Sequence, residues 1–435
     1  MDQNEIIGHD DSLDDYGSEK SAHICTTGKG KPRWKHTFES LEIRDYRLLW
    51  LAVVFWVSGG HMQSIVRNYL AYELTGSAKI MAFIGAGPII PLLVFALFGG
   101  AVADRMDRRR ILQICQVATL ISSVIVAVSI TTGIINWYYL LITGMIHGGV
   151  WSFISPARQA LIKDIVGKEK LTNAISLMAA GLSTVSLIAP GLGGVLYNPS
   201  FLGPDGVSYL SAIVGFCSII FIGFISKDKV IAVSENSNVV QEIRSGLIYI
   251  WQDKLVLVVI GIVVTTMIFI HPVMHFLPIL VKDVFDRESG SFGLLLSMLG
   301  LGSLVGSLIV ASLGKWKRGL LLVVGNIVAG AAVVLIASIS SWYMVVGVMV
   351  IVGLSEAGRR ALSQALIMER VKDDYQGRVI SVYTMSFGLL PIGIIPAGFA
   401  VDLLGISYTI AILGFGMLAV SIFVFFAYRD LSELN

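Results

Sequence analysis

Twelve apolar runs of about twenty residues or more fill this sequence, and no water-soluble fold can bury that many. They lie at approximately 47–70, 79–103, 109–131, 135–160, 172–197, 207–226, 254–280, 290–313, 318–338, 342–368, 379–401 and 405–427. As helices, runs of this length cross about 30 Å of hydrocarbon and satisfy their own backbone where water is absent. The composition agrees, with 55% hydrophobic and 14% charged residues and a mean hydropathy of +0.77. The expected fold class is therefore all-α integral membrane, with twelve transmembrane helices and the lipid bilayer as principal solvent.

A net charge of +2 is too small, and its basic residues too scattered, for a nucleic-acid partner. Cys25, Cys115 and Cys217 offer neither a disulfide framework nor metal spacing and read as small fillers. The first ~35 residues, with Asp10, Asp11, Asp14, Asp15 and Glu19, are polar and acidic; they lack a signal-peptide core and are expected to be disordered.

Basic residues gather in the loops after even-numbered spans, among them Arg105, Arg108, Arg109, Arg110, Lys168, Lys170, Lys227, Lys229, Lys315, Lys317, Arg318, Arg370 and Lys372. The opposite loops hold chiefly Lys79, Lys282 and Arg287. The positive-inside rule then sets both termini in the cytoplasm of a multi-pass protein of the cell (inner) membrane. The polar stretch 227–253 divides the spans six and six. This predicts a tail and juxtamembrane segment 1–45, a six-helix half 46–226, a cytoplasmic central loop 227–253, a second six-helix half 254–428, and a tail 429–435. An internal repeat supports the division: Gln159-Ala160-Leu161-Ile162 recurs as Gln364-Ala365-Leu366-Ile367, and the same offset sets Asp164 against Glu369 and superimposes span 4 on span 10 and span 5 on span 11. Two parallel six-helix repeats, with a small-molecule site between them near the midplane, follow as the expected architecture.

Between spans 2 and 3 a compact charged hinge interrupts the apolar pattern, Gly100-x-x-x-Asp104-Arg105-x-Asp107-Arg108-Arg109-Arg110. Its Gly-x-x-x-Asp-Arg-x-x-Arg-Arg core resembles motif A of the major facilitator superfamily, and the Asp-Arg-x-Asp-Arg-Arg form is similar to the branch of macrolide and siderophore exporters. Arg44-Asp45-Tyr46-Arg47-Leu48-Leu49-Trp50, Tyr72-Glu73-Leu74-Thr75-Gly76-Ser77-Ala78 and Pro156-Ala157-Arg158-Gln159-Ala160-Leu161 resemble further segments of that branch. The resemblance implies that Gly100, Asp104, Arg105, Arg108 and Arg109 form an inner-gate latch, with Asp104 accepting hydrogen bonds from arginines or from helix amides of the other half. Charges that only set topology are the plainer reading. The corresponding second-half loop, Gly314 to Gly319, is basic without a carboxylate, so such a latch is expected to be asymmetric.

In span 5, Ala189-Pro190-Gly191-Leu192-Gly193-Gly194 resembles the antiporter motif of drug exporters, with alanine at its first glycine. The resemblance implies export and roles for Pro190, Gly193 and Gly194. Physically, the proline removes a helix hydrogen bond and the glycines allow close packing on a neighbour.

Charges at membrane depth cost about 2.5–3.5 kcal/mol each when they face lipid, so Glu356, Arg359 and Arg360 in span 10 are expected to face protein or water. Their spacing lets Glu356 pair with either arginine. Glu356 is then a candidate to bind a proton or a cationic group; a structural ion pair is the alternative. Span 1 offers His61, Gln63 and Arg67, and span 7 offers His271 and His275, as candidate cavity lining. The His271/His275 spacing is that of paired metal ligands, but Pro272 intervenes and a paired-histidine reading without metal is preferred. His147 and Arg158 in span 4 are similar cases, and Trp56, Trp151 and Tyr383 could line an aromatic cavity.

No phosphate-binding Gly-x-x-x-x-Gly-Lys-Ser/Thr loop is present, and no nucleophile and base pair at membrane depth, so neither nucleotide-driven pumping nor an enzyme is expected and no cofactor is implied. The resemblance implies a monomeric secondary exporter of a small amphipathic molecule, working by alternating access in antiport with protons. A lysophospholipid-type mover, a proton-coupled importer and a non-transporting sensor remain as alternatives.

Overall fold

The computed structural model describes residues 38–96, 106–226, 239–313 and 317–427. The amino-terminal tail, the hinge residues Gly100, Asp104 and Arg105, and segment 429–435 lie outside the described residues.

Eleven helices among the described residues are long and apolar enough to cross a membrane: Arg44–Thr75, Ala78–Ala96, Arg108–Thr131, Trp137–Gly167, Glu169–Tyr197, Gly203–Gly223, Lys254–Val284, Ser289–Val310, Arg318–Ser338, Tyr375–Leu404 and Ile406–Ala427. They coincide with spans 1–9, 11 and 12. The position of span 10 is taken by Trp342–Arg370, whose 29 residues are long enough to cross but include Glu356, Arg359 and Arg360. Polar residues set the helix ends. Asp107 caps span 3 by accepting from the Arg109 amide at 3.0 Å, and Asp253 caps span 7 by accepting from that of Leu255 at 3.0 Å. Gly167, at φ 70°, breaks spans 4 and 5 apart in a backbone conformation that a side chain would strain.

Within the stretch 227–253, expected as a central loop between the halves, Val239–Gln252 is a helix of 14 residues. Its apolar residues recur at helical spacing (Val239, Val240, Ile243, Leu247, Ile250), a signal too short and too charged for a membrane-length window. Ile250 is buried and Tyr249 stacks on Tyr375 at 5.0 Å, while Trp251 stays exposed.

One face of the bundle carries Asp107, Gly167 and Lys372 and is called the basic face here; the far face carries Gly76, Asn136, Asn198 and Gly405. At the basic face Arg108 of span 3 pairs with Asp164 of span 4. The same bond recurs between Arg318 of span 9 and Glu369 of span 10 at 2.6 Å. The second instance reproduces the Asp164/Glu369 correspondence of the sequence repeat.

Two long seams join the halves, span 5 on span 8 and span 11 on span 2. Each is the other with the halves exchanged, as a twofold-like repeat requires. The buried apolar residues follow the same plan. Toward the far face one cluster draws on both halves, including Tyr69, Met81, Leu280, Phe292 and Trp342. Near the basic face the clusters are separate, one around Tyr46, Leu112 and Val166 and the other around Val256, Leu322 and Leu366.

Candidate functional site

Glu356 sits about halfway along its 29-residue helix, some 20 Å from the start at Trp342. Arg359, one turn later, donates from Nε at 3.2 Å and from Nη2 at 2.5 Å to the two carboxylate oxygens. Arg360 brings its Nε to 3.7 Å, and from span 7 the His271 Nε2 comes to 3.8 Å. One carboxylate therefore faces two guanidiniums and an imidazole. Arg359 is only 2% exposed, so its charge depends on Glu356 for compensation. Arg359 Nη1 and His271 Nε2 are buried without a hydrogen-bond partner, and the buried Tyr383 hydroxyl faces Arg359. Such a concentration of unsatisfied polar atoms marks a place built for a solute, water or a second arrangement of the same groups.

The span 1 and span 7 candidates divide between two places. His61 shares a hydrogen bond of 3.3 Å with Ser186 of span 5. Gln63 is buried with its Oε1 unpaired. Arg67 lies within electrostatic reach of His147 and His275. His275 packs on span 2, where a Cβ at Gly85 would stand 2.9 Å from its Nδ1, whereas His271 faces Glu356. The two histidines thus have different partners despite their spacing. Among the described residues no group of three or more His, Cys, Asp or Glu is gathered as a metal would need. Trp56 donates to Thr119 at 3.2 Å and lines a small pocket with Gly60 and His147, Tyr383 is buried, and Trp151 is exposed and stacked on Trp56 at 5.5 Å.

In the antiporter-like segment the glycines make the seam. A Cβ at Gly194 would lie 2.7 Å from the Gly293 Cα and 2.7 Å from the Ser289 carbonyl oxygen, and Ser289 Oγ donates to the Gly194 carbonyl at 3.1 Å. Gly193 faces the other way, with its Cβ position 3.3 Å from the Met62 Cα of span 1. The carbonyl of Pro190 approaches Gly293 in turn, 2.6 Å from a Cβ there.

The far face is also tied by polar contacts between the halves that sequence reasoning missed. Asp402 at the end of span 11 accepts from the Ala78 amide at 2.8 Å and the Ser77 hydroxyl at 3.1 Å, with Lys79 at 3.8 Å, and so caps span 2 from the other half. Tyr72 donates to Asp283, and Asn198 to Glu288. The available signal was a carboxylate at the end of each of these spans, but the partner of Asp283, Tyr72, lies 211 residues away and that of Asp402, the Ala78 amide, 324 residues away. Losing a cap costs about 0.5–2 kcal/mol, so Asp402→Ala should raise the rate of thiol labelling at a buried Ala71→Cys several-fold in a background with the three native cysteines replaced. Unchanged labelling would mean that Asp402 does not help hold the far face shut.

Of the hinge, the described part begins at Met106. Arg109 reaches across to span 6, donating from Nη1 to the Ile225 carbonyl at 2.5 Å and from Nη2 to that of Gly223. A guanidinium there satisfies orphan carbonyls and complements the negative end of the helix dipole. Arg108 is held by Asp164, as described, so the two arginines fasten span 3 to its neighbours on both sides.

Comparison with known proteins agrees with this architecture. The staphyloferrin A transporter of Staphylococcus aureus is 21% identical over 388 residues, 86% of this chain and 94% of that protein. Macrolide efflux protein A of Streptococcus pyogenes is 22% identical over 394 residues, 88% and 96% of the two chains. The crystal structure of a mutant of the nucleoside transporter NupG superposes with a TM-score of 0.74 at 11% identity, over 90% of this chain and 99% of that one, a likeness of fold. The family described as transmembrane secretion effector matches residues 35–434. With nearly the whole chain matched, helices where the hydropathy requires them and the repeat visible in both seams, this protein belongs to the transmembrane secretion effector family of major facilitator transporters.

Proposed function

We propose that the chain is a secondary active exporter that moves a small amphipathic molecule out of the cell by alternating access, in exchange for protons. The observation that carries the reading is Glu356. Among the described residues it is the one carboxylate set deep within a membrane-length helix rather than near an end. A proton is the smallest charge that can replace a guanidinium at that carboxylate. If Arg359 swings out to water as the halves rock, Glu356 can take up a proton in its place rather than stand as a bare carboxylate in low dielectric.

The positive-inside rule supports a cytoplasmic basic face with both termini, in the cell membrane, and the halves 46–226 and 254–428 acting as the two rocking units of a monomer. A closed far seam with separate cores at the basic face then corresponds to a cavity open to the cytoplasm. In this reading Asp104 and Arg105 complete the inner latch with Gly100, Arg108 and Arg109, and Pro190, Gly193 and Gly194 form the sliding seam. The efflux named for the macrolide relative supports the direction.

The test is flux from reconstituted vesicles for a compound panel, with and without a pH gradient. One pH unit is worth about 1.4 kcal/mol, so each exchanged proton should support up to about tenfold accumulation of the exported compound. Flux that ignores the gradient would remove proton coupling, and accumulation in the proton's own direction would make the protein an importer.

A further inference from the structure

The helix Val239–Gln252 carries more apolar surface than the protein covers. At about 100° per residue, Ile250, Leu247, Trp251 and Ile248 follow one another around a single arc of about 160°. Ile250 at one edge is 3% exposed, in a cluster with Val371 and Val379. Beyond it Leu247, Trp251 and Ile248 are 42%, 74% and 48% exposed, three large apolar side chains in one patch. The other side of the helix is fastened. Tyr249, outside the arc, stacks on Tyr375 of span 11 and accepts from the Lys372 amide at 3.4 Å, and Asp253, just past the helix, accepts from Arg370 at 3.0 Å. The ends of spans 10 and 11 thus hold the open patch in one orientation.

The level of the patch follows from span 7. Trp251 stands three residues before Lys254, where that helix begins, and the 31 residues Lys254–Val284 reach about 46 Å against about 30 Å of hydrocarbon. The ends of span 7 therefore stand among the headgroups, with Trp251 beside the first turn. The lipid-facing surface of the bundle arrives at the same place. Span 12 ends there at Ala427, its Val424 packs on the cluster that holds Ile250, and Phe423 and Phe426 beside it are exposed. Lys254 and Lys372, both exposed, stand at this rim, where ammonium groups meet headgroups.

We propose that the helix Val239–Gln252 lies in the membrane interface, with Leu247, Ile248 and Trp251 among the upper acyl chains, and anchors the second half to the bilayer surface. An indole suits that depth, because its ring is apolar while its N–H bonds to headgroups. Amphipathic helices enter the headgroup and acyl boundary by about 5–10 Å, enough to cover the patch. The ties of this helix run to spans 10 and 11 and to the start of span 7, so the anchor sets the depth of the second half, against which the first half moves in the rocking proposed above.

Spin labels on single cysteines test the depth, in the full-length protein with Cys25, Cys115 and Cys217 replaced and with nanodiscs of phosphatidylcholine and phosphatidylglycerol as the bilayer. Labels at Leu247→Cys and Ile248→Cys should collide more with dissolved oxygen, which partitions into acyl chains, than with a water-soluble nickel chelate. A label at the exposed Lys372→Cys is the water-side reference. Trp251→Ser should raise chelate collisions at Leu247→Cys several-fold as the helix lifts toward water. Chelate collisions that exceed oxygen collisions at both positions would leave the patch in water, and protection from both reagents would put protein over it. Either result overturns the proposal, as does a Leu247→Cys label unmoved by Trp251→Ser. No gradient or solute enters this experiment, so the depth of the helix and the exporter reading stand or fall separately.

Discussion

Gly194→Leu should leave the protein in the membrane but stop it from transporting. The side chain has no room: its Cβ alone would fall 2.7 Å from two backbone atoms of span 8, and backbone cannot rotate aside as a side chain can. Spans 5 and 8 would have to separate, losing the Ser289 hydrogen bond and the packing that stands in for a hydrophobic driving force between helices in lipid. Overpacking of this kind costs about 1–3 kcal/mol, and here the cost falls on the far-closed state. A bias of that size shifts a two-state population by about five- to 150-fold. Flux should fall below about a tenth of wild type. Labelling of Ala71→Cys should rise as the far face opens. Wild-type flux with wild-type labelling would show that the seam tolerates the side chain and that the close approach has no part in the cycle.

Glu356→Gln should abolish proton-driven flux and also destabilise the protein, because the substitution strands the buried Arg359 charge. Removing one partner of a buried pair costs about 3–5 kcal/mol, far more than the pair itself contributes. The double variant Glu356→Gln with Arg359→Gln separates the two effects. It removes both charges, so thermal stability in detergent should return toward wild type while gradient-driven flux stays absent. Recovery of coupled flux in the double variant would reduce the pair to a structural tie between span 10 and its surroundings. Normal flux in Glu356→Gln alone would remove the carboxylate from the coupling mechanism.

Much of this could be read from the chain, for a physical reason. Lipid leaves so few options for a backbone that hydropathy alone placed the helices to within about two turns, and the Asp164/Glu369 correspondence of the repeat coincides with equivalent bonds, Arg108–Asp164 and Arg318–Glu369, which it did not itself predict. The Glu356–Arg359 pair was legible because its partners are one helical turn apart. Contacts between halves were not. Nothing local to Asp402 indicates that its partner is the amide of Ala78, and nothing local to Gly194 indicates Gly293. His271 and His275 share a spacing yet face different neighbours, because one turn of helix was enough to carry them past the boundary between span 10 and span 2. The helix Val239–Gln252 escaped because its charges lowered the hydropathy that a membrane-length window measures.

The arrangement of the buried clusters has a calorimetric consequence. In the proposed cycle the shared cluster around Tyr69, Phe292 and Trp342 is wetted as the halves rock, while apolar surface at the basic face, outside the already buried clusters around Tyr46 and Val256, is brought out of water. Exchanging hydrated apolar area between the two ends gives the conformational step a heat-capacity change wherever the two areas are unequal. The balance between the states is then a curved function of temperature, with its own temperature of greatest bias, much as folding stability has.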